Sequence, residues 1–157
     1  MDRAPYERTS IRRAEVEDVA VVRALTRAAY AKWVPVIGRE PLPMIADYDR
    51  AIGEHLIDLL CLDGRPIGLL ESALRDDHLF VVNVAVAPAD QGRGYGRLLM
   101  AHAEGLARSL GRDEIRLQTN QKFQANIALY ERLGYAIDRD EPFMGGRTVF
   151  MRKRLAA

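Results

Sequence analysis

Cysteine is almost missing from this chain. Cys61 stands alone among 157 residues, so an internal disulfide is impossible and metal sites built on pairs of thiolates are excluded. Net charge is lacking too. Lys plus Arg number 23 against 22 for Asp plus Glu, a formal charge of +1, which leaves no field across the molecule to recruit nucleic acid or an anionic membrane. Long apolar runs are also absent: the longest, Leu79 to Ala87, is interrupted by Asn83 and is far too short to cross a bilayer. Met1 to Ser10 is polar and has no apolar signal segment. The expectation is therefore a cytoplasmic protein with no membrane and no nucleic-acid partner. Repeats, low-complexity stretches and Pro/Gly-rich linkers do not occur, so residues 1–157 read as a single domain.

What is present is ordinary for a domain with a core, 48% hydrophobic and 29% charged. Thr9 to Arg13 suggests a first strand. Glu15, Glu17 and Asp18 place negative charge at a helix start, and Val19, Val22, Leu25 and Ala29 continue the helix to about Tyr30. Ala31 to Asp49 holds Trp33, Pro35, Gly38, Pro41 and Pro43, which predicts a loop followed by one short helix, roughly Met44 to Gly53. Leu56 to Leu62 and Arg65 to Leu74 flank Asp63-Gly64, a pair suited to a tight hairpin. Pro66 is tolerable only near a strand start. His78 to Ala87 predicts a strand covered on both faces, and Pro88 ends it. Gly96 to Leu110 and Gln124 to Leu133 have helical periodicity, with Gly111 and Gly134 as stops. Glu114 to Thr119, Tyr135 to Asp138 and Arg147 to Lys153 read as strands, the last two antiparallel. This order argues for an α/β (α+β) architecture with a strand–helix–strand crossover.

The loop Gln91-Gly92-Arg93-Gly94-Tyr95-Gly96 joins a buried strand to a helix. Three glycines in five residues let the backbone turn sharply and bring its N–H groups close to a ligand. The helix N-terminus adds about half a positive charge, favouring a phosphate. Arg93 and Arg97 can add charge-assisted contacts. A tight turn with no ligand explains the glycines equally well. Two familiar phosphate loops fit poorly: Gly96 is followed by Arg97-Leu98 rather than Lys and a hydroxyl residue, and the glycine spacing differs from the dinucleotide pattern.

Two ordered motifs carry a resemblance. Asn83-Val84-Ala85-Val86-Ala87-Pro88 followed by Gln91 to Leu99, and Asn126-Ile127-Ala128-Leu129-Tyr130 ending in Gly134-Tyr135, resemble the GNAT family of acyl-CoA-dependent N-acetyltransferases. The likeness covers Thr9 to Leu155. It implies a mixed, mostly antiparallel sheet of about seven strands flanked by about four helices, with splayed fourth and fifth strands. It implies acetyl-CoA as co-substrate, no metal, and direct transfer of an acetyl group to a primary amine of a small molecule or peptide in a ternary complex. Many relatives pair, so a homodimer is a possible assembly. By the resemblance, backbone groups of Val84, Ala85 and Val86 pair with the pantetheine arm. Amides from Gln91, Gly92, Arg93, Gly94, Tyr95 and Gly96, with Arg97, hold the pyrophosphate, and Asn126 hydrogen-bonds the cofactor. Tyr130, one helical turn from Asn126 on the same face, is the acid that protonates the departing thiolate. Its alternative role is an aromatic of the core with a surface hydroxyl.

The acceptor's base is harder to place. A lysine-like amine is neutral at pH 7 about once in 2,500 molecules, a handicap of roughly 4.6 kcal/mol. Family members often carry an acid on the fourth strand, and Phe80 to Val84 contain none. Glu71 and His78 are the candidates, acting directly or through water. The alternatives are a solvated strand edge for Glu71 and a surface residue beside Asp76 and Asp77 for His78. A backbone N–H near Val86 is the expected oxyanion donor by analogy. His55 and His102 lack partners at metal-ligand spacing and read as surface or core-edge residues. Cys61 reads as packing. Trp33 to Tyr48 lies where the family builds its acceptor side, as a pocket wall or simply a packed loop. The missing acid keeps a second reading open, an acyl-CoA-binding sensor with weak catalysis.

Overall fold

The computed structural model of the chain describes residues 8–156. β1 (Thr9–Arg13), β2 (Leu56–Leu62), β3 (Arg65–Leu74), β4 (Leu79–Val86), β5 (Glu114–Asn120), β6 (Ala136–Phe143) and β7 (Gly146–Arg154) form one sheet in the order β1-β2-β3-β4-β5-β7-β6. Every pairing is antiparallel except β4 with β5. α1 (Val19–Tyr30), α2 (Val34–Ile37), α3 (Leu42–Ile45), α4 (Tyr48–Glu54), α5 (Tyr95–Ser109) and α6 (Gln124–Arg132) flank it. This is the mixed, mostly antiparallel α/β architecture expected. Of the six helices, α1, α4, α5 and α6 have seven residues or more, and α2 and α3 are single turns.

The sheet is sandwiched between two cores. On one face α1 presents Val19, Val22 and Ala29 to Ile57, Leu59, Leu69 and Ala85. On the other, α5 presents Leu99, Met100, Ala103 and Ala107 to Leu60, Ile67, Leu70, Leu79 and Ile115. Consecutive side chains of a strand point to opposite faces, so Leu59 and Leu60 enter different cores. Each fully buried Leu or Ile contributes about 1.5–3 kcal/mol. The strands buried along both faces are thus β2 and β3. β4, predicted to be covered on both faces, instead alternates buried and half-buried residues from Leu79 to Val86, because one part of its surface borders a cavity.

The Asp63-Gly64 turn forms as expected, with both residues left-handed at φ 50° and 80°, the pair of values that matches strand twist in a two-residue hairpin. Pro66 is accommodated because the β2–β3 register slips there, from Leu60↔Gly68 to Cys61↔Pro66, so the missing N–H falls at a bulge. Several boundaries differ from expectation. The single helix over Met44 to Gly53 is two: Ala46 is extended, and Asp47 starts α4 by accepting a hydrogen bond from Arg50 N. α5 begins one residue earlier, at Tyr95. β6 runs to Phe143 rather than stopping at Asp138, because Met144 and Gly145 adopt φ 47° and 79° and close a second hairpin. β6 is exposed along its whole length, so no apolar alternation marks it.

Candidate functional site

The site begins with a break in the sheet. β4 and β5 pair only through Leu79↔Ile115, Phe80↔Arg116 and Val81↔Leu117. Beyond this, β4 continues against β3 as far as Val86↔Gly68, and β5 continues against β7 as far as Asn120↔Thr148. The two halves of the sheet therefore splay apart. At the parting point the β3–β4 register shifts between Glu71↔Asn83 and Ser72↔Val81, leaving Val82 as an extra residue, and such a bulge bends its strand. Ala87 N donates to Ile67 O at 2.8 Å on the β3 side. With the period of two, Ala85 also turns its backbone to β3, while Val84 and Val86 turn theirs into the gap. A β-carbon on Gly68 would lie 2.9 Å from Ala85 O, which shows how close β3 and β4 run here. Of the three backbone positions that the resemblance implied, two face the gap and Ala85 does not.

At the mouth of the gap, Gly92 and Gly94 take φ 79° and 87°, values that L-residues with a β-carbon rarely adopt. Leu98 N donates to Gly94 O, so the amides of Gly96 and Arg97 precede the ladder of α5 and point toward the loop. At Gly96 α5 lies against α6, where a β-carbon would stand in ordinary contact with Leu129 Cδ2 at 3.7 Å. Gln91 anchors the loop. Its Nε2 donates to Val86 O at 2.9 Å and its Oε1 accepts from Lys32 Nζ at 2.8 Å. Trp33 stacks on Phe123 with ring centroids 4.4 Å apart, tying the segment after α1 to the start of α6.

A cavity of about 440 Å³ opens between the parted strands, lined by residues of α1, α4, β3, β4, β5 and α6 and by the Ile37–Asp47 segment. Tyr130 and Asn126 reach it from α6, and Glu71 and Asn83 from the strands. Burial pushes the Tyr130 phenol up to about 12. Tyr30 donates to Val84 O at 3.3 Å, and its phenol is raised by burial and by the neighbouring Tyr130, Tyr48 and Glu71. Glu71 is only 3% exposed, which overturns the reading of a solvated edge. Its Oε2 lies 2.6 Å from His55 Nδ1.

His55, taken from the sequence as a surface or core-edge residue, thus shares the cavity with a carboxylate. His102, read the same way, has its Nε2 3.5 Å from Asp58 Oδ2 and takes no part in the cavity lining. His78 is separate from Tyr130: it sits at the far, paired end of β4 with its Nδ1 2.7 Å from Asp77 Oδ1 and its ring edge-on to Phe80. Cys61 is buried, as a packing residue is. Among the described residues, no cluster of three metal-ligating side chains occurs, and no helix is long and apolar enough to cross a membrane.

Asn83 was seen in the sequence chiefly as an interruption of an apolar run, yet it is 3% exposed and borders the cavity. Its Nδ2 donates to Thr26 Oγ1 at 3.1 Å and to Tyr48 Oη at 3.4 Å. Tyr48 spends its own proton on Pro43 O at 2.6 Å, so toward Asn83 it can only accept. That fixes the amide orientation and leaves Asn83 Oδ1 buried with no partner. Burial pushes the Tyr48 phenol up to about 12.

Residues 22–135 match the model of the acetyltransferase (GNAT) family. A streptothricin acetyltransferase from Streptomyces lavendulae is 34% identical over 61 residues, a stretch that makes up 39% of this chain and 32% of that protein. The match therefore spans about a third of that curated relative's length. The PaiA N-acetyltransferase of Thermoplasma acidophilum, solved with coenzyme A, superposes with a TM-score of 0.79 at 18% identity, over 93% of this chain and 98% of that one. The ribosomal-protein-S18-alanine N-acetyltransferase of Escherichia coli superposes at 0.77 with 21% identity, over 95% of each chain. With the family match covering 114 residues (22 through 135) of 157, this chain belongs to the acetyltransferase (GNAT) family.

Proposed function

We propose that the protein transfers an acetyl group from acetyl-CoA to a primary amine by direct attack in a ternary complex. One observation carries this reading: the gap between β4 and β5 brings Tyr130 and Asn126 on one wall into the same cavity as the Glu71–His55 pair on the other. The gap-facing edge of β4 at Val84 and Val86, which no strand covers, suits the amides of a pantetheine arm, added as one more strand in place of the side-chain bonds from Tyr30 and Gln91. The amides of Gly96 and Arg97, with the Arg93 and Arg97 side chains, suit the pyrophosphate.

In the reaction the amine nitrogen forms a bond to the thioester carbonyl carbon, and the carbon–sulfur bond then breaks. Glu71, coupled to His55, takes the proton that the amine loses, directly or through water. A backbone N–H of the gap-facing edge, at Val86, steadies the oxyanion, a contribution of roughly 3–4 kcal/mol. Tyr130 donates its phenolic proton to the departing thiolate. Against a thiol near 8.5, a phenol near 12 makes that transfer uphill by about 5 kcal/mol, and a thiolate held in the same desolvated gap is raised as well, which narrows the difference.

The test is thiol release from acetyl-CoA in the presence of a broad panel of primary amines, with mass spectrometry of the products. Amine-dependent release with one acetyl added per thiol supports transfer. Calorimetric binding of coenzyme A with no acylation of any amine would instead make the protein an acyl-CoA sensor.

A further inference from the structure

The charged side chains around the cavity are unevenly satisfied. Arg50 Nε lies 2.7 Å from Glu54 Oε1, Asp47 accepts from Arg50 N, and Glu71 is held by His55. Arg39 is the exception. Its guanidinium makes one long hydrogen bond, 3.3 Å to Glu40 O, and stands 5.7 Å from the centre of the Phe143 ring. The adjacent Glu40 carboxylate is taken by Arg27, so among the described residues no carboxylate pairs with Arg39. An arginine fork set against an aromatic ring and left without an anion is a binding group for a carboxylate.

We propose that the acceptor is a small primary amine that also carries a carboxylate. Its nitrogen is received beside Glu71, and its carboxylate by Arg39. The body between them lies along apolar lining such as Leu42, Pro43 and Phe80. This rests on the proposed acetyl transfer for the chemistry, but not for the binding. The cavity, about 440 Å³, is of a size for a small molecule. Glu71 and Arg39 at separate points reject an amine lacking the anion less by repulsion than by leaving a guanidinium unpaired.

Matched pairs distinguish the outcomes: leucine against isopentylamine, phenylalanine against phenethylamine, and each amino acid against its dipeptide with glycine at the C-terminus. Binding is measured first, by calorimetry and ligand-observed NMR without acetyl-CoA, and then kcat/KM with it. The expected result is a preference of tenfold or more for the carboxylated member, carried mainly by KM. Arg39→Ala should cut the ratio between the members of a pair by about tenfold, and Arg39→Lys should keep part of it. A better rate with the free amino acid or with the dipeptide tells how far the carboxylate lies from the nitrogen. Carboxylate binding that depends on Arg39, without transfer to any amine, would overturn the acetyl-transfer reading and leave this subsite standing. Equal binding of both members, or a preference that Arg39→Ala leaves intact, overturns the subsite even where transfer proceeds.

Discussion

Tyr130 is subject to two opposing demands. On the proposed reading it is an acid that must hold its proton until the thiolate departs and then release it, and burial that lifts the phenol to about 12 favours the first demand over the second. The sign of the pH dependence follows. A group raised to about 12 stays protonated throughout the neutral and mildly alkaline range, while the acceptor amine loses its proton as pH rises. The rate from saturating acetyl-CoA should therefore climb from pH 7 to 10 with no falling limb from Tyr130. Tyr130→Phe should lower kcat by about 10²-fold or more, the usual scale for a positioned acid, with little change in KM for acetyl-CoA. Steady-state kinetics over this range check both, and an unchanged kcat in the variant removes Tyr130 from the acid role. That Asn126 and Tyr130 share the cavity was legible because they sit one helical turn apart in a motif. Asn83 was not, since its meaning lies in Tyr48 already giving its proton to Pro43, a contact that no local pattern announces.

At the scale of elements, the gap depends on how tightly β3 grips β4. Gly68 allows that grip, because a β-carbon there would meet Ala85 O at 2.9 Å, and backbone atoms cannot swing aside as a flexible side chain can. Gly68→Ala should destabilise by about 1–3 kcal/mol, seen as a fall in Tm of roughly 3–10 °C, and should lower kcat/KM as β4 shifts. An unchanged Tm by calorimetry would mean that the strands part without strain. The same hairpin shows why the Glu71–His55 pair escaped the sequence. Counting back from the Asp63-Gly64 turn without a slip places Glu71 opposite Leu56 and turns His55 to the other face. The bulge at Pro66 moves the partner to Ile57, and a one-residue shift brings His55 onto Glu71's side. Hairpins with Asp-Gly were legible; the one closed by Met144-Gly145 was not, because a methionine at φ 47° has no sequence signature. Helices with a single apolar stripe, α1 and α5, were read to within a residue or two.

Over the whole molecule, a net charge of +1 offers no general attraction to a cofactor bearing several phosphates. On the proposed reading, recognition of those phosphates is confined to the start of α5 and its glycine loop, where amides and two arginines act at short range and salt screens them less than it would a distant patch. Binding there must then feed into global stability, since a ligand that binds only the folded state stabilises it by mass action. Coenzyme A at about 100 times its Kd should add about 2.7 kcal/mol, a rise in Tm of roughly 5–10 °C for a chain of this size. Pantetheine, which has the arm but no phosphates, separates the two halves of the site. It should give a much smaller shift at the same concentration, and replacing Arg93 and Arg97 together by Ala should bring the coenzyme A shift down toward it. Equal shifts from pantetheine and coenzyme A would place all of the affinity on the β4 edge and none on the loop.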